Sequence, residues 1–221
     1  MALNLSQSEE NYLKSIYRLS EIENVPVATN SIAEDVDTKA SSVTEMIKRL
    51  AKKELLTYEK YKGSILTRSG ISHAINIIRK HRLWETFLVD KLKFSWDEVH
   101  EIAEQLEHIQ SSKLTNRLSE FLDHPDYDPH GDPIPNEKGE FPKSIQTSKL
   151  FELQEGETGT VHHIGIDSPS FLKFLTKHAI QIGSAITCIA KYDFDQSMYV
   201  KIDGEFEMSL SKKVSKNIIV K

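Results

Sequence analysis

Cysteine is nearly absent from this chain. Cys188 is the one thiol in 221 residues, so no disulfide framework holds the fold. The first residues, "MALNLSQSEEN", offer neither a basic n-region nor an apolar h-region, which argues against a secretory signal. No uninterrupted apolar run approaches the length of a membrane span. The expectation is a cytoplasmic protein with no membrane partner. Proline is scarce outside one place: five of the seven prolines fall between residues 124 and 142. Hydrophobic residues at 38% and charged residues at 28% suit a globular chain long enough for two or three small domains.

Neither sign of charge dominates, and the net charge of -5 argues weakly against nucleic-acid binding. Its distribution says more. Residues 74–145 hold 9 basic and 14 acidic side chains and so carry the whole excess. Residues 39–68 hold 8 basic against 3 acidic. A basic patch beside an acidic middle is more informative than the total.

The patch lies within a recognisable plan. "SQSE" at 6–9 has the Ser-x-x-Glu spacing of a capping box, and Tyr12, Leu13, Ile16 and Tyr17 follow at helical spacing over about 8–20. "NVPVAT" interrupts, and "SIAEDV" is a short second helix. "ASSVTEMIKRLAKKELL" sets Val43, Ile47 and Leu50 on one apolar stripe. "LLTYEKYKGSILT" reads as strand 55–59, a turn at Lys62-Gly63 and strand 64–67. Helix, helix, turn, helix and hairpin make a winged helix-turn-helix, whose recognition helix enters the major groove of double-stranded DNA N-terminus first. Lys39, Ser41, Ser42, Thr44 and Glu45 lie at that end. Lys48, Lys52, Lys53, Lys60 and Lys62 are placed to meet phosphates, which supply affinity rather than sequence choice. The plainer alternative is a helical domain with an ordinary basic surface.

The middle reads as three helices: about 69–92, 96–109 (opened by the Ser-x-x-Glu box "SWDE") and 112–123. If Trp84, Phe87, Leu88, Leu118, Phe121 and Leu122 face outward, these helices form a dimerisation unit; otherwise they are a monomer's own core. At about 100° per residue, with His100 at 0°, Glu107 falls near -20°, Glu104 near 40° and His108 near 80°. His81 and Glu85 share a face at i, i+4. Carboxylates with imidazoles suit Mn²⁺, Fe²⁺ or Zn²⁺, and an excess of carboxylate leans toward Mn²⁺ or Fe²⁺. The alternative is a solvated acidic face.

The proline-rich stretch "HPDYDPHGDPIPNEKGEFP" reads as an extended connection, with His124 and His130 as solvated loop residues. Residues 146–221 then give "KLFELQEGETGTVHHIGI" as strand, turn and strand, a helical insertion "SPSFLKFLTKHAI", and three further strands: a small β-barrel. Cys188 reads as buried filler in an apolar strand.

Taken together, "EENYLKSIYRL", "ASSVTEMIKRLAKKELLTYEKYKGSILT", "RKHRLWETFL", "VHEIAEQLEHI" and "PHGDPIP" resemble the diphtheria-toxin-repressor and manganese-transport-regulator family of metal-dependent transcriptional repressors, over the whole chain. The resemblance implies a multidomain α+β fold. Residues 1–73 would be a winged helix-turn-helix, 74–124 a helical metal-binding and dimerisation domain, 125–145 a linker and 146–221 an SH3-like barrel. It implies a homodimer activated by Mn²⁺ or Fe²⁺, with Zn²⁺ or Co²⁺ able to substitute, that represses metal-uptake genes at palindromic operators. His81, Glu85 and His100 fall on the ancillary-site ligands, and Glu104, Glu107 and His108 on the primary site. Glu104 stands where the iron branch has cysteine; glutamate is the harder ligand and leans toward Mn²⁺. Asn11 stands at the family's helix 1 ligand position, and Lys14 where two-metal members have glutamate. Asp167 is the candidate ligand from the barrel. Two other readings remain. A di-iron enzyme wants Glu-x-x-His on two helices, and the chain has none. A regulator of a small organic ligand predicts DNA binding indifferent to chelators.

Overall fold

The computed structural model describes residues 4–23, 26–59 and 62–221, so Lys60 lies outside the described residues. The chain divides into two compact units. Unit one comprises Met1–His81, Glu104–Asn116 and Pro135–Glu140; unit two comprises Arg82–Ala103, Arg117–Ile134 and Phe141–Lys221.

Unit one is built on α1 (Gln7–Glu23), α2 (Thr29–Asp35), α3 (Ala40–Lys52) and a hairpin of β1 (Leu56–Glu59) and β2 (Gly63–Leu66). The capping box forms as the sequence requires: the Ser6 amide donates to Glu9 Oε2 at 2.9 Å, and the Glu9 amide donates to Ser6 Oγ at 3.3 Å. Lys53 adds an ion pair to Glu9 at 2.8 Å, tying the start of α1 to the end of α3. Val43, Met46, Ile47 and Leu50 are buried along one face of α3, against a core that includes Leu13, Ile16, Ile32, Leu55 and Leu56. The hairpin pairs Leu56 with Leu66 and Glu59 with Gly63, and Val27 adds a bridge to Ser64. Gly63 turns there at φ +116, where a Cβ would come within 2.6 Å of the Val27 carbonyl oxygen.

Three helices follow: α4 (Arg68–Asp90), α5 (Val99–Leu106) and α6 (Ser112–Phe121). In unit two, Leu83, Leu118 and Ile134 are buried together, with Trp84, Phe87 and Leu122 packed on them. Leu88 and Leu118 therefore belong to the chain's own core, whereas Phe121 is 63% exposed. The second Ser-x-x-Glu box does not cap a helix. Helix α5 begins three residues later than expected, at Val99, because the segment before it is held from outside. The Trp96 indole donates to Thr176 Oγ1 at 2.8 Å, and Asp97 pairs with Lys173 at 3.6 Å.

The C-terminal part of unit two is a six-stranded sheet in the order β3-β8-β4-β5-β6-β7. Its strands are β3 (Ser148–Lys149), β4 (Thr158–Ile164), β5 (Ala185–Lys191), β6 (Met198–Ile202), β7 (Phe206–Leu210) and β8 (Ile218–Val220), with α7 (Pro169–Lys177) and α8 (Lys212–Ser215) between them. Residues 150–152, expected as strand, form a 3-10 turn closed by Leu153 N donating to Leu150 O. Leu150, Ile164, Leu172, Cys188, Val200 and Ile218 lie in one core, so Cys188 is buried as expected. This is the small SH3-like barrel.

The proline-rich stretch is not an extended connection. Tyr127 bridges Pro133, and Asp128 Oδ1 accepts from the amides of His130 (2.8 Å) and Asp132 (2.9 Å). Gly131, at φ +87, lies so close to β4 that a Cβ would sit 2.1 Å from the His162 carbonyl oxygen. Only glycine fits such a turn. It holds Asp128 and His130 inside the protein.

Candidate metal centres and DNA-reading face

In unit one, α1 presents Glu10 and Lys14, α4 presents His81, and the end of α5 with the turn after it presents Glu104, Glu107 and His108. Glu107 is fully buried. Its Oε2 lies 2.5 Å from His81 Nδ1, and Lys14 Nζ donates to both of its oxygens, at 2.7 and 2.9 Å. Burial pushes the Glu107 carboxyl up, but the His81 hydrogen bond and the Lys14 charge outweigh it, and its pKa is lowered. His108 Nδ1 lies 2.5 Å from Glu10 Oε2, and its Nε2 is 3.9 Å from Glu107 Oε1. Glu104 is half exposed, with Oε1 3.6 Å from Lys14 Nζ. Lys80 is buried nearby; burial lowers its pKa, against the fields of Glu10 and Glu107.

In unit two, Glu85 is 2% exposed and divides its two oxygens. Oε1 lies 3.3 Å from His100 Nδ1, which is also 3.7 Å from Asp167 Oδ2. Oε2 lies 3.6 Å from His130 Nδ1. Carboxylate oxygens of Glu85 and Asp128 and a ring nitrogen of His130 all lie within 4.8 Å of one another, and all three residues are buried. His130 Nε2 donates to the Trp96 carbonyl at 2.8 Å, which orients the ring and leaves Nδ1 toward Glu85. Burial, reinforced by the neighbouring carboxylates of Asp132 and Glu85, pushes Asp128 up to about 8. Burial opposes charge on His130, yet Glu85 and Asp128 raise it to about 9. Both shifts favour the proton-bound forms of Asp128 and His130 near neutral pH. Arg82 braces the outer side, 3.0 Å from Asp132 and 3.8 Å from Asp128.

The expected arc of four ligands on one helix is therefore split. Helix α5 ends at Leu106 rather than about 109, so Glu107 and His108 sit on the following turn. His100 pairs with Glu85 and Asp167, while Glu104, Glu107 and His108 face Lys14, His81 and Glu10. His81 has a short contact with Glu107, and one of its ring nitrogens also lies within 4.8 Å of ligand atoms of Glu85 and His100, the trio the resemblance implied. Asn11 is exposed, and the α1 residue that reaches the cluster is its neighbour Glu10, 4% exposed. The reading of His130 as a solvated loop residue is overturned by its 2% exposure, whereas His124 is exposed. Three residues of these clusters were missed: Glu10, Asp128 and His130. The Asp-x-His spacing in "DPH" was the available signal.

At the other end of unit one, α3 turns a polar face outward. Lys39, Ser41, Ser42, Glu45, Lys48 and Lys52 are exposed, and Thr44 is half-buried with its hydroxyl donating to the Ala40 carbonyl at 2.9 Å. Lys62, on the hairpin turn, pairs with Glu59 at 2.6 Å.

A winged helix-turn-helix followed by buried carboxylate–imidazole clusters defines a class: DNA-binding regulators that answer to a divalent cation. Comparison with known proteins makes the class specific. Residues 4–64 match the N-terminal DNA-binding domain of iron-dependent repressors, 67–136 their metal-binding and dimerisation domain, and 149–221 the FeoA domain. The chain is 35% identical over 160 residues to the iron-dependent repressor IdeR of Mycobacterium leprae, covering 71% of this chain and 69% of that one. It is 34% identical over 152 residues to the diphtheria toxin repressor of Corynebacterium jeikeium, a match that spans 69% of this chain and 62% of the relative. Among solved structures, a manganese-dependent transcriptional repressor in complex with manganese superposes with a TM-score of 0.85 at 35% identity, covering 96% of this chain and 98% of that one. ScaR with bound Zn²⁺ gives 0.77 at 33%, covering 96% and 98%. This chain belongs to the iron-dependent repressor family of metal-dependent transcriptional regulators. Among the described residues no helix is long and apolar enough to cross a membrane.

Proposed function

We propose that this protein is a cytoplasmic, metal-activated repressor of metal-uptake genes, binding palindromic operators as a homodimer, with Mn²⁺ favoured over Fe²⁺. The observation that carries the reading is the pair of buried clusters. Glu10, Glu104, Glu107 and His108, beside His81, would hold one divalent ion in unit one. Glu85, Asp128 and His130, with His100 and Asp167 beside them, would hold another in unit two. Both sets are rich in carboxylate and contain no sulfur, which suits Mn²⁺. A bound ion supplies the positive charge that neutralises these groups. Zn²⁺ or Co²⁺ can substitute at such nitrogen and oxygen donors, and the similar ScaR structure has bound Zn²⁺.

The chain's own residues then perform the switch. Glu10 lies on α1 of the DNA-binding part, whereas Glu104, Glu107 and His108 lie at the end of α5. Drawing these side chains onto one cation favours a single arrangement of the two elements, so metal affinity and DNA affinity are linked. Lys39, Ser41, Ser42, Thr44 and Glu45 would face the bases, and Lys48, Lys52, Lys60 and Lys62 the phosphates. Phe121, with the half-buried Trp84 and Phe87, gives unit two an apolar surface for a second copy.

The test is a titration of operator binding with Mn²⁺, Fe²⁺, Co²⁺ and Zn²⁺, repeated on Glu104→Cys. The expected result is tight binding with metal and a shift toward Fe²⁺ in the variant. Binding that is the same with and without a chelator contradicts the reading and favours a regulator of another ligand.

A further inference from the structure

The cluster in unit one already contains a cation. Lys14 is a helical residue whose side chain is 21% exposed, and its ammonium group takes both oxygens of a fully buried carboxylate. It also lies 3.6 Å from Glu104. Glu107 is thereby fully occupied: His81 and Lys14 meet Oε2, and Lys14 meets Oε1. A second buried lysine, Lys80, adds positive field without a hydrogen bond to either glutamate among the described residues. In unit two, among the described residues, Glu85 lies beside the imidazoles of His100 and His130, and Arg82 is 3.8 Å from Asp128.

We propose that Lys14 is a tethered, displaceable cation: its ammonium group neutralises Glu107 and Glu104 in the metal-free protein and must withdraw before a divalent ion can be held there. This rests on the reading of the unit-one cluster as a metal centre. Two forces act in the same direction. The ion pair with Glu107 is lost when the ion enters, and a lysine left in place repels a doubly charged neighbour. The side chain is flexible and partly exposed, so it can swing to water at little cost. Lys14 therefore sets the threshold concentration at which unit one responds, without serving as a ligand.

The experiment is a Mn²⁺ titration followed by electron paramagnetic resonance, which reads bound ions directly and needs no DNA. It uses the full chain carrying Glu85→Gln and His130→Ala, so that only unit one can load. Lys14→Met and Lys14→Gln in that background are each expected to bind Mn²⁺ on the order of tenfold more tightly or better. Lys14→Arg, which keeps the charge, is expected to stay near the parent. Thermal melting in chelator confirms that each variant is folded before titration. Unchanged or weaker affinity in both neutral variants overturns the proposal, since Lys14 would then be a structural brace. Absence of any Mn²⁺ binding in parent and variants alike overturns the metal reading of unit one, and the proposal with it.

Discussion

Glu107 in unit one and Asp128 in unit two are both buried carboxyl groups in crowded anionic surroundings, and the protein treats them in opposite ways. Glu107 is kept ionised by His81 and Lys14, with its pKa lowered in spite of burial. Asp128 is pushed up to about 8 by burial and by Asp132 and Glu85, while His130 beside it is raised to about 9. One cluster balances its negative charge with an internal ammonium group, and the shifts in the other favour balancing it with protons. On the proposed reading, a divalent ion entering unit one would displace a lysine, and one entering unit two would displace hydrogen ions. The two proposed centres would thereby answer different conditions.

The largest effect should come from breaking unit two at its shared ligand. Glu85→Gln removes the carboxylate that faces both imidazoles and should cost about hundredfold or more in metal affinity there, read by calorimetry in a Glu107→Gln background that silences unit one. Next is the backbone that delivers Asp128 and His130. Gly131→Ala puts a Cβ 2.1 Å from the His162 carbonyl oxygen at φ +87, and should destabilise unit two by about 2–4 kcal/mol, visible as a lowered melting temperature.

Acidity sharpens the contrast. With Asp128 and His130 proton-loaded near neutrality, Mn²⁺ affinity at unit two should rise with pH up to about 9, by up to about tenfold per pH unit for each proton released. Unit one should respond less, because Glu107 has no proton to give up. Without metal the stability trends also oppose. The Glu107 contribution is present above the ordinary carboxylate range and is lost as pH falls through its lowered value. The His130 contribution is full below the ordinary imidazole range and is lost as pH rises through about 9. Ionising Asp128 weakens unit two in the same alkaline direction. Trp84 and Trp96, the chain's two tryptophans, both lie in unit two, so tryptophan fluorescence in chelator should report loosening at alkaline pH. A flat response between pH 7 and 9 would remove the proton-stored half of the comparison. The smallest effect belongs to the DNA face: Lys48→Ala should weaken binding evenly across sequences and reduce the salt slope by about 1.

The elements that were legible in the sequence are those fixed by local pattern. The α3 stripe Val43, Ile47, Leu50, the turn at Lys62-Gly63 and the capping box at Ser6 each depend on neighbours a few residues away. The clusters depend on contacts 15 to 98 residues apart in sequence, such as Glu85 with His100, His81 with Glu107 and Glu10 with His108. Helical spacing gathered His100, Glu104, Glu107 and His108 because it assumed a helix running past Leu106. The linker was misread because proline and glycine suggest exposure, yet here they make the tight turn that buries His130. Asn11 and Glu10 are adjacent, and only the rotation of α1 in the packed unit decides which of them faces inward.

Anomalous scattering from crystals grown with Mn²⁺ tests the two proposed divalent centres directly. Manganese peaks are expected within the Glu10, Glu104, Glu107, His108 cluster, with Lys14 withdrawn, and within the Glu85, Asp128, His130 cluster. Manganese bound elsewhere, or at neither cluster, would contradict the two-centre reading.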